Sequence, residues 1–463
     1  MAFIIFDLIF LLFFCLAVGL FLYKKRKKLK IESKVFLLYK TKTGINFINK
    51  FSKKFSSLLG IISYFSIAFG FIATIMAIFL LYKTAEMLFK AVAVPKVPPI
   101  MPLVPYLPEI FRLPLPPFYF TYWLLIIAVI AITHEFSHGI FASFYKLKIK
   151  ATGFGFFGPF LLAFVEPDEK AMKKKKPKQQ LAILSAGSFA NFLCAIIFFF
   201  FLQLFFVLST YPSNIIYAGT IINTSEIRNF SLDSTIIERE EILSVLGDSY
   251  KLVKIYTTNS SYYLTEKLLK EQLGKNVSSI FVFYDSPLIR ANLSGEIVKI
   301  NNIPARHYDK IFKNLSQIKP HELVVIETTK GKYEIIAEEH PTNKSRGFVG
   351  LGSAFVPVRG LAKIIQDLSS PARNPFMFYD SKYDTETFMF FFNFLWWMVI
   401  ICISVALINM LPFGMLDGGR FVYVAVLGLT KSKKVAENIY KIVAFFVLLI
   451  LFALGIAWLM KAF

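Results

Sequence analysis

Residues 133–139 read Thr-His-Glu-Phe-Ser-His-Gly and contain an H-E-x-x-H pattern. On a helix, His134 and His138 stand one turn apart on one face, where two imidazoles can hold a single metal ion. Glu135 lies beside them and can take a proton from a water that such a metal polarises. A catalytic zinc needs a third protein ligand and an open position as well. The chain offers a candidate far downstream, in the run Asn409-Met-Leu-Pro-Phe-Gly-Met-Leu-Asp417-Gly-Gly419. Asp417 closes an apolar stretch, between Leu416 and two glycines, and a carboxylate there points to a ligand role. The glycines allow a turn and a close approach of helices, and Pro412 breaks the helix at the same level.

The segment that must carry the first motif is apolar. Residues 118–133 are almost wholly aliphatic and aromatic, which reads as a membrane span. The whole chain follows suit: 463 residues, 56% hydrophobic, 17% aromatic, 53 Phe and only 18% charged. Soluble domains carry more charge than that. The formal net charge of +22 does not indicate nucleic acid. Its lysines gather at 24–30, 146–150, 170–178 and 431–441, just beyond apolar runs, where cytoplasmic loops facing anionic lipid are expected. Cys15, Cys194 and Cys402 lie far apart in apolar runs, so neither a disulfide framework nor a C-x-x-C site is expected.

In chain order, residues 3–23, 58–82, 118–145, 181–209, 388–411 and 437–460 read as six spans. The first resembles a signal peptide but lacks a basic leader and a cleavage site, and reads as a retained span. Residues 24–57 are basic and amphipathic and are expected along the cytoplasmic surface. Residues 92–117 are crowded with prolines, from Pro95 to Pro117, and predict an extended exterior loop. Residues 151–166, rich in Gly and Phe, are too broken for a span. They predict a hairpin or re-entrant loop at membrane depth, and an edge that could hold substrate as an added strand. Glu166, Asp168 and Glu169, before a lysine run, predict an ion-paired interface loop. Residues 212–346 are polar with short alternating apolar runs, which predicts a strand-rich domain. Every N-x-S/T match (Asn223, Asn229, Asn259, Asn276, Asn292, Asn314, Asn343) falls within it, which agrees with an exterior position by span parity. Residues 355–370 predict an amphipathic surface helix. His307, His321 and His340 have no matched spacing and read as solvated.

The pairing of H-E-x-x-H in one span with N-x-L-P-x-x-x-L-D-G-G in a later one resembles the site-2 protease family of intramembrane metalloproteases. The resemblance implies that His134, His138 and Asp417 bind one Zn²⁺ and that Glu135 is the catalytic base. The stretch Ser185-Ala186-Gly187-Ser188-Phe189-Ala190-Asn191 keeps the family's Gly-to-Asn spacing, with Ser188 where Pro is common. Asn191 would then donate to the scissile carbonyl or to the oxyanion. Asn409 would hold a substrate strand or bracket Asp417. For both asparagines an interhelical hydrogen bond is the alternative. Residues 286–302 are similar to the second half of a PDZ domain, with an insertion around 226–278.

The resulting expectation is a polytopic α-helical membrane protein with an inserted extracytoplasmic, β-rich, PDZ-like domain. Its parts are an N-terminal membrane region (1–117), catalytic core spans (118–210), the exterior domain (211–350), a surface linker (351–387) and C-terminal spans (388–463). The expected activity is zinc-dependent cleavage of transmembrane segments of other membrane proteins in regulated intramembrane proteolysis. The expected place is the cell membrane, with the site near the cytoplasmic side and lipid, not nucleic acid, as surroundings. A CAAX-processing zinc protease would want a downstream Glu as third ligand, and in the apolar spans after residue 139 the sole Glu is Glu437, the first residue of the last span. A non-enzymatic scaffold or pseudoprotease presenting a PDZ-like domain is the other alternative, and the intact ligand set argues against it.

Overall fold

The computed structural model describes residues 2–32, 36–90, 103–113, 115–157, 160–238, 240–247, 249, 251–258, 260–274, 277–354, 373–414 and 416–462. Two compact units are formed, Met1–Leu202 with Met389–Phe463, and Gln203–Phe388.

In the first unit the described helices of ten or more residues are α1 (Ala2–Lys25), α2 (Ile45–Lys54), α3 (Ser56–Lys90), α4 (Phe120–Phe144), α5 (Pro177–Ser209), α6 (Thr385–Ile408), α7 (Asp417–Thr430) and α8 (Lys433–Ala462). Helices α5 and α6 run on a few residues into the second unit. Six of the eight, α1, α3, α4, α5, α6 and α8, are long and apolar enough to cross a membrane, and they coincide with the six expected spans. Without water to satisfy exposed peptide groups, such apolar stretches pair their N–H and C=O groups within a helix. Helix α4 ends where Tyr145 leaves the helix and Lys146 adopts φ +57°, turning the chain into a strand.

Helix α4 has an unusual start. Its first N–H groups are capped by a carboxylate from another helix. Asp7 of α1 is fully buried and accepts from Phe120 N at 2.7 Å and Thr121 N at 3.0 Å. The Tyr106 hydroxyl donates to the same carboxylate at 2.6 Å. An ion buried this deeply costs several kcal/mol unless donors surround it. Here the donors include the unpaired amides and the positive end of a helix.

Four strands join this unit: β1 (Leu29–Glu32), β2 (Phe36–Thr41), β3 (Ile149–Phe157) and β4 (Phe160–Pro167), in spatial order β1-β2-β3-β4. The predicted hairpin at 151–166 is therefore present. Residues 24–57 differ from the expectation of a surface amphipathic segment. Their first half forms two strands, and β2 pairs antiparallel with β3 from Leu37↔Phe156 to Thr41↔Thr152. An unpaired hairpin edge at membrane depth is costly, and β2 satisfies it. The second half is the amphipathic helix α2, which buries Ile48 against α4. Residues 91–102 of the proline-rich segment lie outside the described residues, as do residues 355–370.

The second unit is β-rich. One antiparallel sheet of six strands runs, from edge to edge, Gly219–Asn223, Ser279–Tyr284, Ser261–Thr265, Leu252–Thr257, Ile227–Leu232 and Thr235–Glu238. Residues 227–265, most of the expected insertion, supply four of these strands. They build an apolar core of their own around Phe230, Val253, Ile255, Leu264 and Val282. A second, four-stranded sheet (Ile303–Pro304, Ile297–Ile300, Leu323–Thr328, Gly331–Ile336) packs Ile297, Ile300, Val324 and Ile326 against Tyr308 and Ile311 of helix Tyr308–Leu315. Its tight hairpin falls at Asn301 and Asn302, both with positive φ, as a two-residue turn of matching twist requires.

Candidate metal centre and active site

Three side chains from two helices, 283 residues apart at the extremes, bring their chemistry to one point. His134 and His138 lie on the last turns of α4, and Asp417 opens α7. Of the carboxylate, Oδ2 lies 3.2 Å from His134 Nε2 and 3.1 Å from His138 Nε2, and the two Nε2 atoms are 3.1 Å apart. These are the His, Cys, Asp and Glu side chains that converge as a possible metal site among the described residues. Ligands about 2.0–2.1 Å from a tetrahedral zinc stand about 3.3–3.4 Å from one another, so the triangle fits that ion. Two neutral imidazoles and a carboxylate also suit its chemistry.

The groups behind the imidazoles fix which nitrogen faces the centre. His138 Nδ1 donates to the Ile183 carbonyl at 2.7 Å. His134 Nδ1 meets the side-chain amide of Asn191 at 3.1 Å, and that amide is fully buried. A ring that offers Nε2 to a metal carries its proton on Nδ1, so the amide oxygen is the partner that satisfies it. The amide group also touches Thr133 Oγ1 at 3.3 Å, which itself donates to the Val129 carbonyl at 2.8 Å. Both partners, Ile183 and Asn191, belong to α5. Sequence reasoning missed Ile183, because a backbone carbonyl leaves no residue signature.

Helix α5 comes this close because of Gly187. A methyl group there would sit 2.4 Å from His138 Nε2 and 2.7 Å from His134 Nε2. Gly418 plays a similar part under Asp417. Its N–H donates to the Asn409 carbonyl at 2.8 Å, and a Cβ would lie 2.2 Å from the Met410 carbonyl oxygen. Asn409 thus braces the Asp417 turn through its main chain.

Glu135 stands apart from the triangle. Its Oε2 accepts from the Val165 N–H of β4 at 3.0 Å. Val165 pairs with Thr152 of β3, and its amide points away from that strand. Ala163, two residues back, presents its N–H and C=O on the same side. Among the described residues β4 is the outer strand of its sheet, so the open edge runs directly past the glutamate. Gly139, one residue after His138, has Ile48 and Val165 methyl groups 3.0 Å from where a Cβ would be, which lets α2 and β4 close on the motif. The acids after the hairpin are paired as expected: Glu166 with Lys40 at 2.5 Å, Asp168 with Lys150 at 3.3 Å and Glu169 with Arg420 at 3.4 Å. Cys15, Cys194 and Cys402 are free thiols.

The family model of peptidase family M50 matches residues 122–454. The chain belongs to peptidase family M50. This is the site-2 protease family, so the resemblance carried by the two motifs holds over most of the chain, and membership supports a membrane-embedded metalloprotease. No curated protein matches the chain. The matched region begins within α4, so Asp7, β1, β2, α2 and α3 lie outside it.

Proposed function

We propose that this M50 peptidase is a zinc-dependent intramembrane endopeptidase that cleaves transmembrane segments of other membrane proteins, in regulated intramembrane proteolysis. The observation that carries the reading is the convergence of His134, His138 and Asp417 beside Glu135 and an open strand edge. Zinc held by those three side chains would supply a Lewis acid and acidify a water. Glu135 takes the proton from the attacking water and delivers it to the leaving amine. Asn191 and the Ile183 carbonyl hold the imidazoles in the tautomer that keeps both Nε2 lone pairs on the centre. The burial of Asn191 and its contact with His134 favour this positioning role over direct contact with an oxyanion. The partly exposed side chain of Asn409 is free to meet a substrate strand.

A helical substrate hides its carbonyls in hydrogen bonds and must unwind before attack. The edge of β4 replaces those bonds, since the N–H and C=O of Ala163 can pair with an extended segment, while the Val165 N–H is held by Glu135. The lysine-rich loops beside the spans favour a site near the cytoplasmic side, and span parity favours a β-rich domain outside. There its four-stranded, PDZ-like part would bind or screen substrates.

The test is cleavage of a model single-span substrate in proteoliposomes, with zinc measured on the same preparations. Glu135→Gln is expected to keep zinc and lose cleavage. Cleavage by Glu135→Gln at the parental rate would end the proposal. A CAAX-type protease would leave metal content unchanged in Asp417→Ala, and a scaffold would carry no stoichiometric zinc in the parent.

A further inference from the structure

We propose that the adjoining ends of α3, α4 and α5, with Lys178 at the mouth, form a binding crevice for the headgroup of an anionic phospholipid. Beyond the catalytic centre, a cavity of about 440 Å³ opens between these three helices, lined by Ser57, Gly60, Tyr64, Phe144, Tyr145 and Lys178 among others. Most of these residues lie at or near an end of their helix. Ser57 and Gly60 are in the first turns of α3, Phe144 and Tyr145 close α4, and Lys178 is the second residue of α5. In a membrane helix these ends are the interface, where headgroups lie and where Tyr and Lys collect.

The lining has two chemistries in the order a phospholipid has them. Ile61 and Phe65, well exposed on α3, continue the crevice along the apolar helix surface. At its mouth the Lys178 ammonium lies 3.6 Å from the centroid of the Tyr64 ring. Tyr64 holds the cation through its ring and its hydroxyl, and since an ammonium carries three N–H groups, donors remain for a phosphate. Charge around the mouth is uncompensated. The neighbouring acids are committed to Lys150 and Arg420. Among the described residues none of Lys173, Lys174, Lys175, Lys176 or Lys178 has a carboxylate partner. A basic crevice between spans is the surroundings in which an anionic headgroup is held specifically, over and above the general attraction of basic loops.

Space separates the two effects. At Gly60 a Cβ would meet only Phe144 Cζ, at 4.0 Å. Gly60→Leu therefore starts from an open Cβ position, puts its bulk into the crevice and leaves every charge in place. The experiment uses the full chain in detergent micelles supplemented with dioleoyl-phosphatidylglycerol or dioleoyl-phosphatidylcholine, with retained lipid counted by native mass spectrometry. The parent is expected to retain phosphatidylglycerol over phosphatidylcholine. Lys178→Gln and Gly60→Leu are each expected to weaken that retention about tenfold or more, and Lys178→Arg to restore it. Lys434→Gln, a lysine on α8 outside the crevice, is expected to behave as the parent. Equal retention of the two lipids by the parent would overturn the proposal. So would equal losses in Lys178→Gln and Lys434→Gln, parental retention by a folded Gly60→Leu, or displacement of the lipid by inorganic phosphate. The readout is binding, so it stands whether or not the protein cleaves the substrates proposed above.

Discussion

Gly187 is the position where one methyl group should separate the fold from the metal centre. In the interior of a helix, Gly→Ala ordinarily stabilises by about 1 kcal/mol. If α5 were packed loosely, Gly187→Ala would be neutral or better. The structure requires the opposite locally. The new Cβ would lie 2.4 Å from His138 Nε2 and 2.7 Å from both His134 Nε2 and His134 Cε1, whereas ordinary contact begins at 3.4 Å. The shortfall is about 1 Å, several times the roughly 0.2 Å within which metal–ligand distances hold. Either the imidazoles retreat or α5 moves out. If α5 moves, the Ile183 and Asn191 partners that set both tautomers move with it. A displacement of about 1 Å at a reacting centre costs about 100-fold in rate, and loss of the groups that orient ligands costs about 10- to 100-fold in metal affinity. Overpacking adds about 1–3 kcal/mol of destabilisation, partly offset by the helix gain. Gly187→Ala is thus expected to fold, to bind zinc at least tenfold more weakly, and to cleave at least 100-fold more slowly. The assay is zinc content by mass spectrometry against a chelator series, beside proteoliposome cleavage and thermal unfolding. Gly455→Ala is the control, because nothing lies within 4 Å of its Cβ position. Full zinc affinity with cleavage within threefold of the parent would refute the packing of α5 on the two imidazoles.

Asp417→Ala should lose zinc and cleavage together, whereas Glu135→Gln should lose about 100- to 10,000-fold in rate with zinc retained, the range of general-base catalysis; metal analysis and cleavage on one preparation separate the two. Asn191→Leu should weaken zinc binding about tenfold while leaving the hairpin and Glu135 in place, and unchanged affinity would argue that the amide does not set the His134 tautomer. Ala163→Pro removes one outward amide from the β4 edge, which an edge position tolerates. It should raise KM for a transmembrane substrate with zinc unchanged, and a parental KM would exclude pairing at that residue. Asp7→Ala strips several donors of their acceptor. It should lower stability by about 2 kcal/mol or more, read as a lower unfolding temperature in detergent.

What the sequence displayed, it displayed through local rules. Six apolar runs became six long helices because a bilayer leaves an apolar segment no other way to satisfy its amides. His134 and His138 were readable because a four-residue spacing has one meaning on a helix, and Asp417 because an acid in an apolar setting needs a partner. The groups that were hidden act across the chain. Lys40 and Glu166 are 126 residues apart, and nothing in residues 29–41 says that they complete a sheet begun at 149. Gly187 was visible as a spacing, but its function is an absence of atoms, which only the facing imidazoles reveal. Asp7 is a lone acid in an apolar span, and its partners, the amides of Phe120 and Thr121, lie more than a hundred residues further along the chain. These hidden contacts share a direction. Asp7 caps the start of α4, Ile48 closes on Gly139 near its end, and β2 occupies the inner edge of the hairpin. The segment that lies outside the family match therefore grips the catalytic helix at both ends and leaves β4 as the hairpin's one open edge among the described residues. A strand-shaped substrate approaching that hairpin has a single side on which to pair, and it is the side where Glu135 waits.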